Sequence, residues 1–78
     1  MNKTLEYYMK QPYVMCIVPD EEGIYTLYFP DLPGCVTTGL TPEEALKNGE
    51  DAKKCWFEAC IEQNIKIPEP SKKDKIYA

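Results

Sequence analysis

Between Pro12 and Pro19 the chain reads YVMCIV, six apolar positions with no charge, and after the connection PDEEG it resumes as IYTLYF. Runs of β-branched and aromatic residues bounded by turn formers favour strands. Residues 13–18 and 24–29 are therefore predicted to pair as a hairpin. Its connection has a φ-fixing proline, a turn-forming Asp20 and Gly23, which is free to take positive φ. Alternation along the second strand sends Tyr25, Leu27 and Phe29 to one face and Thr26 and Tyr28 to the other.

Pro30 cannot donate to a sheet ladder, so the second strand must stop there. In the stretch FPDLPGCVTTG, residues 31–34 turn the chain and CVTTG supplies a third strand. Leu32 is expected to plug the underside of this corner, and Asp31 to hydrogen-bond loop amides. Thr41, Pro42 and Glu44 then spell a helix start: an N-cap hydroxyl, a proline where its missing N–H does no harm, and the acid of a capping box. Two acids in that first turn, Glu43 and Glu44, also complement the helix dipole.

Projected at 3.6 residues per turn, the helix should run to about residue 63 and bury Ala45, Leu46, Gly49, Ala52, Trp56, Ala59 and Cys60, with Phe57 on the margin. Glu43, Lys47, Glu50, Asp51, Lys54, Glu58 and Glu62 fall opposite. Gly49 on the buried stripe predicts close approach of the helix to the sheet. Asn64 suits a left-handed cap. Ahead of the hairpin, Leu5, Tyr8 and Met9 give a one-sided pattern for a short helix over 4–11, ended by Pro12.

These elements predict one α+β domain over residues 1–78: a three-stranded antiparallel sheet packed by one long helix. The core spans 13–67, with Ile65 and Ile67 closing its end. A proline-rich exit and charged tail occupy 68–78, where residues 75–77 can begin a fourth strand.

Composition narrows the chemistry. The chain has 78 residues, a net charge of −4 and no histidine. An acidic surface repels phosphate backbones and attracts basic proteins, so direct nucleic-acid binding is not expected. Cys16, Cys35, Cys55 and Cys60 form no C-x-x-C pair, which leaves zinc without its usual spacing and favours free core thiols in a reducing cytoplasm. No residue pattern suggests a leader or a membrane span. Without histidine, Ser/His and Cys/His nucleophile pairs are impossible. No phosphate-loop motif occurs. Cofactors and metals are not expected.

Asp20, Glu21, Glu22, Asp31, Glu43 and Glu44 are the acids that a metal-dependent nuclease would need to converge in one cleft. Asp20 and Asp31 are more simply turn residues, and Glu43 and Glu44 belong to the helix start. Six tyrosines, at positions 7, 8, 13, 25, 28 and 77, exceed what so small a core can hold. They predict either a partly exposed sheet face or, because tyrosine pairs a large apolar body with a polar tip, an association surface that includes Tyr28.

The ordered series Pro30-Asp31-Leu32-Pro33-Gly34-Cys35, Gly39, Thr41, Glu44-Ala45-Leu46, Trp56 and Ile67-Pro68-Glu69-Pro70 resembles the HicB-type antitoxins of bacterial toxin–antitoxin systems. The likeness covers residues 5–70. It implies a β-β-β-α-β unit likened to a partial RNase H fold without its catalysis. It also implies binding to HicA, a small basic ribonuclease toxin that cuts messenger RNA and is inhibited by occlusion. Many members continue into an operator-binding ribbon-helix-helix or helix-turn-helix domain; no such module is expected within these 78 residues.

The resulting expectation is a non-enzymatic cytoplasmic antitoxin that binds a HicA-like toxin and forms a homodimer or higher oligomer. Its partner-binding residues are expected to be Asp20, Glu21, Glu22, Tyr28 and Asp31, holding toxin cations where RNA phosphates would sit. The alternatives are a stand-alone oligomerisation or adaptor module, and a divalent-metal nuclease using Asp20, Asp31 or Glu44.

Overall fold

Most of the proline and glycine breaks fall where expected, but the first strand starts three residues later than its hydrophobic run and takes in Pro19, which was expected to end it. The computed structural model describes residues 3–71. Its elements are α1 (Leu5–Met9), β1 (Cys16–Pro19), β2 (Tyr25–Tyr28), β3 (Val36–Gly39) and α2 (Pro42–Glu62). The α+β class is as expected; the suggested strand at 75–77 lies outside the described residues.

The sheet has the order β1-β2-β3, antiparallel throughout. Cys16 faces Tyr28 and Pro19 faces Tyr25 across the first pair; Tyr28 faces Val36 and Tyr25 faces Gly39 across the second. Leu27 and Phe29 point toward α2 and are fully or almost fully buried, while Tyr28 points away and is exposed. The period-2 reading of the second strand therefore holds.

Both ends of α2 are tied as the sequence suggests. Thr41 Oγ1 accepts from the Glu44 N–H at 3.0 Å. The Glu44 carboxylate reaches back one residue beyond the N-cap, to the Leu40 N–H. At the far end Asn64 has φ 57°, the Ile65 N–H reaches the Cys60 carbonyl at 2.8 Å and the Asn64 N–H reaches Ile61 at 3.2 Å. This pair of bonds is a Schellman termination, which satisfies carbonyls the helix leaves unpaired.

The buried face of α2 differs from the projected stripe. Ala45, Gly49, Lys53, Phe57 and Cys60 are buried; Leu46 is exposed, as is Ala59, and Ala52 and Trp56 are only half-buried. The stripe has rotated by about 40° at 100° per residue. Phe57 takes the centre because burying its ring is worth roughly 2–3 kcal/mol, more than alanines on the other flank can supply. It stacks with Tyr8, Tyr13 and Trp56 at centroid distances of 5.4, 5.5 and 5.9 Å. Two of the four cysteines, Cys35 and Cys60, join the core; Cys16 is half-buried and Cys55 is exposed. Ile67 closes the core end, but Ile65 stays 52% exposed.

Lys53 is the buried residue that the projection left out. Its stem lies in the core at 5% exposure. The ammonium sits 5.6 Å from the Phe29 ring centroid and 3.5 Å from Glu50. A lysine can cover apolar surface with its four methylenes while its charge finds a ring face and a carboxylate.

Two glycines set the distance between helix and sheet. A Cβ on Gly49 would come within 2.7 Å of Leu27 Cδ2, and one on Gly39 within 2.5 Å of the Ala45 backbone nitrogen. The exit is fastened across α1: the Tyr13 hydroxyl donates to the Pro68 carbonyl, and the Tyr7 hydroxyl and Lys3 ammonium both donate to the Glu69 carboxylate.

Candidate partner-binding surface

The five residues singled out from sequence fall at the two ends of one sheet. Asp20, Glu21 and Glu22 lie in the turn between β1 and β2, whereas Tyr28 and Asp31 follow at the far end of β2. The structure does not bring the five into one cluster.

At the turn, Asp20 Oδ1 accepts from the Glu22 N–H at 2.8 Å and the Ile24 N–H at 3.0 Å. Gly23 takes φ 85° to close the reversal. An aspartate that bonds amides two and four residues on fixes the loop in place of a longer strand pair. Glu21 and Glu22 stand exposed on this rigid tip.

The opposite corner is built from PDLPG. The Leu32 N–H donates to the Phe29 carbonyl at 2.9 Å and the Cys35 N–H to Leu32 at 3.0 Å. Gly34 takes φ 85°, and Leu32, fully buried, plugs the turn from beneath. The Trp56 indole donates to the Pro33 carbonyl at 3.0 Å, tying the corner to α2. Burial pushes the Cys35 thiol pKa up, against the pull of the Lys53 ammonium. Asp31 bonds away from its own loop: its carboxylate accepts from the Ser71 N–H at 3.0 Å and the Ser71 hydroxyl at 2.6 Å. Tyr28 is 39% exposed. A hydrogen bond with its cross-strand partner, Cys16, raises the phenol above the ordinary tyrosine pKa. Of the other described tyrosines, Tyr13 is buried and Tyr7, Tyr8 and Tyr25 are half-buried, so the tyrosine surface reduces to Tyr28.

The sheet register assembles a different group. Pro19, Tyr25 and Gly39 are aligned across the three strands. The β1–β2 turn and the start of α2 therefore emerge at the same end, about 10 Å apart at 4.8 Å per strand. Glu43 and Glu44, in the first turn of α2, therefore lie toward the same end of the sheet as Asp20, Glu21 and Glu22, in the neighbouring layer. Residues 11–46 contain these five acids and Asp31 but no lysine or arginine, a charge of −6 against +2 for the rest of the chain. Every charged residue of the segment that forms the sheet is thus an acid.

Such a stretch, held on capped turns and carrying no lysine or arginine within residues 11–46, is suited to a basic macromolecule. The acids that a metal site would recruit are engaged within the chain: Asp20 by turn amides, Asp31 by Ser71 and Glu44 by Leu40. Among the described residues, no helix is long and apolar enough to cross a membrane.

Comparison with known proteins gives the class of this capped, acidic, two-layer domain. A family model described as a HicB_like antitoxin of bacterial toxin-antitoxin systems matches residues 13–78. The chain belongs to this antitoxin family. It is 47% identical over 58 residues to Antitoxin HicB 1 of Photorhabdus laumondii, covering 74% of this chain and 37% of that protein. With Antitoxin HicB of Escherichia coli K12 it shares 37% identity over 59 residues, 76% of this chain and 43% of that protein. UPF0150 protein Ta0767 of Thermoplasma acidophilum is 43% identical over 56 residues, 72% of this chain and 81% of that protein. The chain thus spans less than half the length of these two HicB antitoxins.

Proposed function

We propose that this chain neutralises a small, basic, HicA-type ribonuclease toxin in the cytoplasm by covering the surface that grips messenger RNA, and that it catalyses nothing itself. The observation that carries the reading is the charge segregation: −6 over residues 11–46 without one cation. A ribonuclease must present cations to hold phosphates, and carboxylates compete for those cations with an affinity that short charge-assisted hydrogen bonds reinforce. Asp20, Glu21 and Glu22 at the turn, with Tyr28 and Asp31 at the corner, are the assigned contacts. Membership of an antitoxin family supports a toxin partner, and the engagement of Asp20, Asp31 and Glu44 in hydrogen bonds within the chain supports a non-catalytic role.

The test is RNA cleavage by the purified product of the adjacent gene, with and without an equimolar amount of this chain. Cleavage that stops on addition supports occlusion. A stable complex that cleaves RNA undiminished, or no complex at all, removes the proposal.

A further inference from the structure

The sheet has a second face, and α2 does not cover it. Strand alternation and register place Cys16, Val18, Thr26, Tyr28, Val36 and Thr38 on the side away from the helix. None of the six is charged, in a chain where 28% of residues are. Val36 is 54% exposed, Val18 49% and Tyr28 39%. Apolar side chains held open on a rigid plate mark an interaction site.

Resting on the antitoxin reading above, we propose that this open sheet face is the docking plate for the cationic toxin. Val18, Tyr28 and Val36 form the apolar centre of the contact, and the acidic end formed by Asp20, Glu21, Glu22, Glu43 and Glu44 forms its charged rim.

Three observations choose this occupant and this mode. First, a second copy would bring another −6 against the −6 of residues 11–46, so charge disfavours self-association through this half and favours a basic partner. Second, strand addition at β3 is obstructed. The Phe29 N–H to Cys35 carbonyl bond sets which β3 residues pair inward and leaves Val36 and Thr38 facing the outer edge. There the Thr38 carbonyl already accepts from Asn48 Nδ2 at 2.8 Å. Third, size demands both parts. Three strands of four residues present a plate of roughly 200 Å², using 3.3 Å per residue and 4.8 Å per strand. A stable interface buries about 800 Å² per partner, so the contact must extend past the plate onto the acids. An apolar centre with a charged rim is the usual anatomy of such contacts.

The test is calorimetric titration of the full chain with the purified product of the adjacent gene, using Val36→Lys and Thr38→Lys on the open face and Ile61→Lys on the solvent side of α2. All three positions are exposed, and circular dichroism melts establish that each variant folds. We expect either face variant to weaken binding by about 30-fold or more, a loss on the scale of a central interface contact, and Ile61→Lys to stay within about threefold. Wild-type affinity in both face variants overturns the face assignment while leaving the antitoxin reading intact. Failure of the unsubstituted chain to bind overturns both. A free chain that dimerises and is made monomeric by Val36→Lys makes a second copy the occupant, and also overturns the proposal.

Discussion

Gly49 lies so close to Leu27 that a Cβ in its place would stand 2.7 Å from Leu27 Cδ2. Leu27 is fully buried and has nowhere to go. Gly49→Ala gains about 1 kcal/mol of helix propensity but overpacks the core by 1–3 kcal/mol, so a net loss of up to about 2 kcal/mol is expected. Gly39→Ala meets backbone, at 2.5 Å from the Ala45 nitrogen, and should cost more than Gly49→Ala. Urea unfolding of the two variants checks the order; equal stability would mean that the helix lifts from the sheet at no cost.

Lys53 offers a prediction with the opposite sign. Its stem is packed but its partner Glu50 is half exposed, so removing the ammonium leaves no stranded buried charge. Lys53→Met should hold or raise stability by up to about 1 kcal/mol, whereas Lys53→Ala, which empties the stem's space, should lose about 1–2 kcal/mol. Chemical denaturation midpoints separate the two.

Tyr13 gives the fold an alkaline limit. Burial pushes its pKa up to about 12, with the Glu69 charge adding to the effect, against about 10 in an unfolded chain. The neutral phenol is favoured in the fold, so its contribution is complete below pH 10 and is lost as pH rises through 12. Roughly 1–3 kcal/mol is involved. Tyr13→Phe also removes the donor to the Pro68 carbonyl. It should flatten the fall in stability between pH 10 and 12, read as thermal midpoints at half-unit pH steps.

The hairpin tip should matter to the partner and not to the fold. Glu21 and Glu22 have exposed side chains, and the turn amides are held by Asp20. The double substitution Glu21→Lys, Glu22→Lys should leave melting within about 1 °C and weaken toxin binding at least tenfold, because like charges then face each other. Asp20→Ala, by contrast, should lower the melting midpoint through loss of two amide bonds.

Turns and caps were the most legible part of the chain because their chemistry is local. Pro30, Gly34, Thr41 and Asn64 each act within a few residues and take the places their residue types predict, while Glu44 reaches one amide beyond the expected one. The helix stripe was less legible. Counting small apolar residues centred it on the alanines, while packing is decided by the largest ring, Phe57, and by a lysine stem that a binary pattern reads as polar. Asp31 was assigned to its own loop, and no local signal points to Ser71, forty residues later. The acidic end could have been found: in any three-stranded meander, the first turn and the exit of the third strand share one end. Glu43 and Glu44 read locally as helix-start residues, and it is the strand register that puts the start of α2 at the same end of the sheet as Glu21 and Glu22.

Residues 11–46 carry −6 and the rest of the chain +2, so an external charge pulls unequally on the two parts. In the field of a cationic body the molecule experiences a torque that turns its sheet half forward before any atoms touch. Because that field decays over about 8 Å at physiological ionic strength, added salt should slow productive arrival more than it shortens the lifetime of the formed complex.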